Sequence, residues 1–259
     1  MQNIKEEDYN SIIENMKWSF SRLNSLDTCP HMWKLTYLDH EEGVSNSFAD
    51  FGTFAHEILE KYAKGEAEIY ELASMYEEEY NKAVPLPFPP NKYVSLADKY
   101  YEAGLNYFEN FEGFGDYEIV QAEKELEFTV DKYKVTGYID LLLKDKDGNF
   151  HIFDHKSSTV KSAKSDKAKE YWKQMYLYSI AIYQEYGVYP VKLHINAFKE
   201  GKIYTIDFDI EEIEKVKKWV VDTIEILKKE REFLPKSNSF FCKFVCSYRN
   251  SCEYVPQQY

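Results

Sequence analysis

Two strands joined by a tight turn occupy residues 134–156, and this hairpin limits what the rest of the chain can become. Residues 134–144 (KVTGYIDLLLK) are rich in β-branched and aliphatic side chains. Residues 145–149 (DKDGN) carry the Asp-Gly pair of a hairpin turn, and residues 150–156 (FHIFDHK) return. Side chains alternate along a strand, so Phe150, Ile152, Asp154 and Lys156 share one face and His155 points to the other. An apolar face that ends in a carboxylate and an ammonium is costly to bury unless those charges are paired or bound to a metal. Asp140, on the partner strand, can lie close to Asp154. Adjacent carboxylates repel, and a divalent cation removes the repulsion; an oxygen site completed by water suits Mg²⁺ or Mn²⁺. Lys156 could then hold a water or the charge that develops on a phosphate. The plainer alternative is a surface hairpin with an Asp–Lys pair at its rim.

The flanking pattern predicts helices and more strands. Residues 18–38 begin with cap signals at Ser19 and Ser21, and Cys29-Pro30 divides them into two short helices. Residues 48–63 form an amphipathic helix with a stripe of Phe51, Ala55, Ile58, Leu59 and Tyr62, ended by Gly65. A helix over 69–83, a polyproline-like connector over 85–90 (PLPFPP) and a helix over 93–111 follow. Residues 117–130 alternate as the first sheet strand, with Val120, Ala122, Leu126, Phe128 and Val130 on one side and Glu123 and Glu125 on the other. After the central hairpin come a long helix over 167–186, a second hairpin of 191–198 and 202–208 around Glu200-Gly201, and a helix over 211–231 capped by Asp209. The tail from Ser237 has no clear period. This order predicts an α/β chain, a mixed sheet with helices on its faces. We expect one domain over 1–259: a helical part over 1–115 with an insertion at 65–112, a core over 116–235 and a Cys-rich tail over 236–259.

The net charge of −13 argues against a protein that simply coats DNA. It leaves room for local basic patches, and residues 161–173 (KSAKSDKAKEYWK) place five lysines directly after the Asp154–Lys156 strand. They could be a solvated loop or a surface for a phosphate backbone. The acidic, polar first residues (MQNIKEEDYN) do not read as a leader peptide and no apolar run is long enough for a membrane span, so a cytoplasmic protein without membrane partners is expected. Cys29, Cys242, Cys246 and Cys252 are too few for a disulfide framework in so long a chain; four thiolates fit an iron–sulfur cluster or a structural zinc. His56 lies beside the stripe of its helix, and Gln174 and Tyr178, four apart, share a helix face.

Taken in order across nearly the whole chain, these pieces resemble the RecB-like branch of the PD-(D/E)XK nuclease superfamily, including the CRISPR-associated exonucleases. Ser19-Phe20-Ser21-Arg22-Leu23 followed by Cys29-Pro30 is similar to the family's N-terminal signature, and Gly52-Thr53-Phe54-Ala55-His56 to its histidine helix. Glu123 stands where the family often has an acidic residue. Gly137-Tyr138-Ile139-Asp140 resembles the GxxD strand, Asp154-His155-Lys156 the (D/E)xK strand, and Gln174-Met175-Tyr176-Leu177-Tyr178 the QxxxY helix.

The resemblance implies a restriction-endonuclease-like fold whose N- and C-terminal segments are joined by a metal cluster. It implies that His56, Asp140, Asp154 and the main-chain carbonyl of His155 bind Mg²⁺ or Mn²⁺. Lys156 would orient the attacking water or stabilise the transition state, Gln174 and Tyr178 would position substrate and Lys156, and Glu123 would join the catalytic set. AddB-like members carry a 4Fe–4S cluster on one upstream and three C-terminal cysteines, which implies one on Cys29, Cys242, Cys246 and Cys252, with zinc as the alternative. This tail reads C-x3-C-x5-C where the usual one begins C-x2-C. The implied activity is a metal-dependent DNA exonuclease acting on single-stranded ends in recombination, repair or phage DNA processing. The alternatives are a CRISPR-adaptation nuclease that trims DNA with integrase partners, and a catalytically silent DNA-end-binding module. Intact Asp140, Asp154 and Lys156 speak against the silent module. No G-x-x-x-x-G-K-[ST] motif occurs, so a helicase would be a separate partner.

Overall fold

In a computed structural model, residues 6–236 and 238–255 are described; the outermost residues of the expected 1–259 domain, including the first five of the acidic N-terminus, and Ser237 of the tail lie outside them. The chain begins with α1 (Glu6–Asn15), β1 (Trp18–Ser19), α2 (Phe20–Thr28), α3 (Pro30–Tyr37), α4 (Ser47–Ala63), α5 (Leu72–Ala83) and α6 (Leu96–Glu109). It continues with β2 (Glu118–Val130), β3 (Tyr133–Lys144), β4 (Phe150–His155), α7 (Asp166–Tyr186), β5 (Lys192–Ala197), β6 (Lys202–Asp207) and α8 (Glu211–Lys229). A π-helical turn spans Phe241–Val245 in the tail.

Local chemistry explains most of these boundaries. The Ser19 side chain caps α2 by accepting from Arg22 N at 3.2 Å. Cys29 is extended and separates α2 from α3, with Pro30 at the first helical position, where a missing N–H costs nothing. Asn46 caps α4 through bonds from Phe48 N and Ala49 N, and Phe51, Phe54, Ala55, Ile58 and Leu59 are buried along one stripe. Burying each large side chain of that stripe contributes about 1.5–3 kcal/mol. The helix expected over 93–111 is shorter, because Ser95 caps Asp98 N and α6 starts at Leu96. The cap of α8 is Ile210 rather than Asp209; Asp209 instead accepts from Glu211 N in a local turn.

Among the described residues the sheet is mixed and six-stranded. β2 and β3 form a long antiparallel hairpin. The other edge of β3 is shared by two strands: β1 runs parallel at Val135 and Thr136, and β4 runs antiparallel from Leu141 to Lys144. β5 pairs parallel to β4, and β6 antiparallel to β5. The strand expected to be the sheet's first, over 117–130, is therefore its second. The pair Trp18–Ser19 is too short to carry a strand period and exists only through its partner β3.

Helices cover both faces. One core lies between the sheet and α1, α2, α7 and α8. The other lies between the sheet and α4, α5 and α6. β4, with helices on both sides, is buried at every residue. Among the described residues no helix is long and apolar enough to cross a membrane.

Gly104 shows how tightly the second core is closed. A Cβ there would stand 2.2 Å from the Tyr76 hydroxyl, and Tyr76 is fully buried. Gly104→Ala should therefore destabilise the protein by about 1–3 kcal/mol despite the better helix propensity of alanine, the usual range for overpacking. Denaturant unfolding measures this; an unchanged midpoint would mean that α5 and α6 do not pack as described.

Candidate active site

The site lies where the sheet forks. Between Thr136, paired with Ser19, and Leu141, paired with Phe153, residues 137–140 have no strand partner on that edge among the described residues. Asp140 fills the gap with its side chain: His155 N donates to Asp140 Oδ2 at 2.5 Å. The register places Asp140 next beyond Leu141↔Phe153, opposite Asp154.

The opposite edge of β3 also breaks its alternation here. Leu126, Phe128 and Val130 on β2 face the α7 core, whereas Ala122 and Ile119 face the α4 core. Between them Glu123 adopts a left-handed φ of 48°. β3 switches face at the matching place, with Val135 and Ile139 in one core and Leu141 and Leu143 in the other. Strict alternation put Ala122 with Leu126 and Glu123 with Glu125, and both pairings are corrected. Glu125 is exposed and accepts from the Tyr138 hydroxyl, while Glu123 turns toward Asp140. Such a conformation costs about 1–3 kcal/mol in a non-glycine residue and persists where surrounding structure imposes it.

α4 brings His56 to this place. His56 Nε2 lies 2.9 Å from the carbonyl oxygen of His155, which can only accept, so Nε2 donates there. His56 Nδ1 is 3.7 Å from Asp140 Oδ2. Donor atoms of His56, Glu123 and Asp140 all lie within 4.8 Å of one another. Asp154 stands apart from this trio: Lys156 Nζ is 2.5 Å from its Oδ2. Among the described residues that ammonium is the one donor that reaches the buried Asp154 Oδ2.

The electrostatics show a deficit of positive charge. Glu123, Asp140 and Asp154 face one ammonium. Burial pushes Glu123 up to about 7, with Asp140 and Glu60 adding to it. Burial likewise pushes Asp154 up to about 7 against the pull of Lys156. Burial would raise Asp140 too, but His56, Lys156 and the main-chain N–H of His155 outweigh it and hold it below its ordinary value. Lys156 would be lowered by burial, yet the two aspartates keep it firmly charged. The buried His155 ring is driven down to about 3 and stays neutral. It is fixed by Asn196, whose Nδ2 lies 2.9 Å from His155 Nδ1 and whose main-chain oxygen accepts from Lys156 N.

α7 supplies the other wall. Gln174 Nε2 donates to the Tyr178 hydroxyl at 3.2 Å. Tyr178 packs on Gly137, where a Cβ would come within 2.5 Å of its ring, so the glycine of the Gly137–Asp140 stretch is required by close approach. Burial raises the Tyr178 hydroxyl to about 12. The structure thus gathers every sequence-predicted residue of this site, with Asp154 paired to Lys156 rather than inside the trio. Sequence reasoning missed Asn196 and Tyr171. Asn196 could have been noticed as a polar residue inside an apolar strand. Tyr171 stands three residues before Gln174, on the same helix face.

A second cluster joins the chain's ends. Cys29, Cys242, Cys246 and Cys252 line one cavity with Met32, Leu35, Phe241 and Tyr248. Burial raises the Cys242 and Cys246 thiols, and the neighbouring sulfurs push the same way. The tail is tied to residues 41–46: the Tyr248 hydroxyl donates to Glu41 O, Val44 N to Ser247 O, and Asn46 Nδ2 to Val245 O. Asn46 is also the cap of the histidine helix α4.

The sequence model of the PD-(D/E)XK nuclease superfamily matches residues 17–253. Among solved structures, a presumed exonuclease from Eubacterium rectale is similar over 100% of this chain and 97% of its own, at 16% identity and a TM-score of 0.53. The structure of SSO0001 is similar over 80% of this chain and 98% of its own, at 16% identity and a TM-score of 0.37. No curated protein shows significant similarity.

Proposed function

We propose, for a chain that belongs to the PD-(D/E)XK nuclease superfamily, that it is a metal-dependent exonuclease that hydrolyses DNA phosphodiester bonds from single-stranded ends. The observation that carries this reading is the charge deficit at the fork: three buried or half-buried carboxylates, Glu123, Asp140 and Asp154, face one ammonium. The likeness of fold to a presumed exonuclease supports the choice of exonuclease.

The donor set fits a hard divalent cation. His56, Glu123 and Asp140 would hold it, with the His155 carbonyl beside them and Asp154 across the fork. Carboxylate and carbonyl oxygens suit Mg²⁺ and Mn²⁺, and the imidazole favours Mn²⁺. A bound ion of this kind lowers the pKa of water and offsets the charge of a phosphate. The chain's own groups do the rest. Lys156 stays protonated, is aimed by Asp154 and the Tyr171 ring, and donates to the attacking water or to a phosphate oxygen as negative charge grows there. Gln174 and Tyr178 close the site on the α7 side and hold the strand against Lys156.

Metal binding must expel protons from Glu123 and Asp154, which hold them up to about pH 7. Mn²⁺ affinity should therefore climb as pH rises from 6 to 8, with proton release, and level off above. Calorimetry in two buffers of different ionisation enthalpy measures both; a flat affinity would show that neither carboxylate meets the ion.

The cysteine cluster, four thiols around one cavity, fits an iron–sulfur group or a structural zinc.

Strand and end preference are tested by digesting end-labelled linear single-stranded, linear double-stranded and circular single-stranded DNA with Mg²⁺ or Mn²⁺. Loss of linear single strands with circles spared is the expected result. Cleavage of circles would make the protein an endonuclease, and preference for duplex ends would overturn the single-strand reading.

A further inference from the structure

We infer that Lys167 and Tyr171 form a subsite for a second backbone phosphate, next to the one being cleaved, so that the substrate is read as a strand rather than as a single phosphodiester. This rests on the nuclease reading above. The sequence offered five lysines over 161–173 without distinguishing them. The structure separates them. Lys173 points away toward α8, 3.9 Å from the centroid of the Trp219 ring, with Asp27 at 4.0 Å. Lys169 is exposed and paired with Asp166. Lys161 and Lys164 are exposed on the loop before α7.

Lys167 alone of the five shares a ring with the catalytic ammonium. Its Nζ lies 4.9 Å from the Tyr171 centroid, and Lys156 Nζ lies 4.9 Å from the same centroid. The two nitrogens are therefore separated by at most twice that distance, a span that neighbouring phosphates of an extended strand can bridge. Tyr171 is buried, and its hydroxyl is hydrogen-bonded to Ser158 on the loop that follows Lys156, so the ring is a fixed spacer. Lys167 uses one donor on Glu170 Oε2 at 3.0 Å. Glu170 is itself held by Asn24 Nδ2 at 3.0 Å. This pins the Lys167 side chain near the site, and 43% of that side chain remains exposed. An ammonium held in this way is a point charge suited to a phosphate oxygen.

The test compares two substrates in steady state: a single-stranded 12-mer, and the p-nitrophenyl ester of thymidine 5′-phosphate, which has one phosphodiester and no neighbour. Lys167→Gln should raise KM for the 12-mer about threefold to tenfold with little change in kcat. It should also lower the salt dependence of kcat/KM by about one phosphate's worth. Turnover of the ester should fall less than twofold. Lys169→Gln, on the same helix and equally charged, should change neither. Equal losses on both substrates, or an effect of Lys169→Gln as large as that of Lys167→Gln, would overturn the subsite. Wild-type protein that cleaves neither substrate would instead defeat the nuclease reading, and the subsite with it.

Discussion

Replacing Lys156 with alanine should reduce DNA hydrolysis by at least about a hundredfold to a thousandfold while the protein stays folded. That is the usual cost of removing one donor aimed at transition-state charge. The reason for expecting survival of the fold lies in Asp154. Stripping one partner from a buried ion pair commonly costs about 3–5 kcal/mol, because a bare charge is left behind. Asp154 already holds its proton up to about 7, so without Lys156 it can take one up and become neutral. A melting point a few degrees lower, with a native circular dichroism spectrum, is the expected accompaniment. Asp154→Asn gives an independent check, since it keeps the shape and removes the charge. Near-wild-type rates in either variant would remove Lys156 and Asp154 from the chemistry.

Cys242→Ala should produce the largest change in stability. The four cysteines draw together the α2–α3 joint and a tail that is otherwise nearly free of regular structure. A structural metal group can supply on the order of 10 kcal/mol to the segments it joins. Without it the tail keeps its hydrogen bonds to Thr36 and to residues 41–46, several of them at exposed positions, and its packing on Leu35. The loss should also reach the fork. Val245 O accepts from Asn46, Asn46 caps α4, and α4 carries His56. The variant should therefore lose iron or zinc, melt well below wild type and bind Mn²⁺ less tightly. Protein purified without oxygen and analysed for iron, sulfide and zinc measures the first; unchanged metal content and an unchanged melting temperature would exclude the cluster.

How much could be read from the chain alone depended on how local each signal was. The β3–β4 hairpin, the α2–α3 break at Cys29-Pro30 and the stripe of α4 are set by neighbouring residues, and they stand where the sequence placed them. β1 is two residues long and is a strand only because β3 lies beside it. The left-handed Glu123 was invisible, since nothing in Glu123 itself favours that conformation; it is imposed where two cores on opposite faces change places. That one backbone angle moves Glu123 from a plain solvent face into the His56–Asp140 group. Ordered motifs brought His56, Asp140, Asp154 and Lys156 to notice. Which carboxylate would pair with Lys156, and which would lie with the histidine, depends on distances across a forked sheet, which spacing does not encode. The same holds for Tyr171, whose importance appears only when two ammonium groups are found around one ring.

The most direct test is the rate of hydrolysis of an end-labelled linear single-stranded DNA as Mg²⁺ or Mn²⁺ is added to metal-stripped protein, with Asp140→Asn beside wild type. The asparagine keeps an oxygen to accept from His155 N and removes only the charge. The account predicts no cleavage with chelator, saturable cleavage as metal is added to wild type, and for Asp140→Asn both weaker metal dependence and little product. Cleavage that persists in chelator, or an Asp140→Asn protein that matches wild type at every metal concentration, would contradict it.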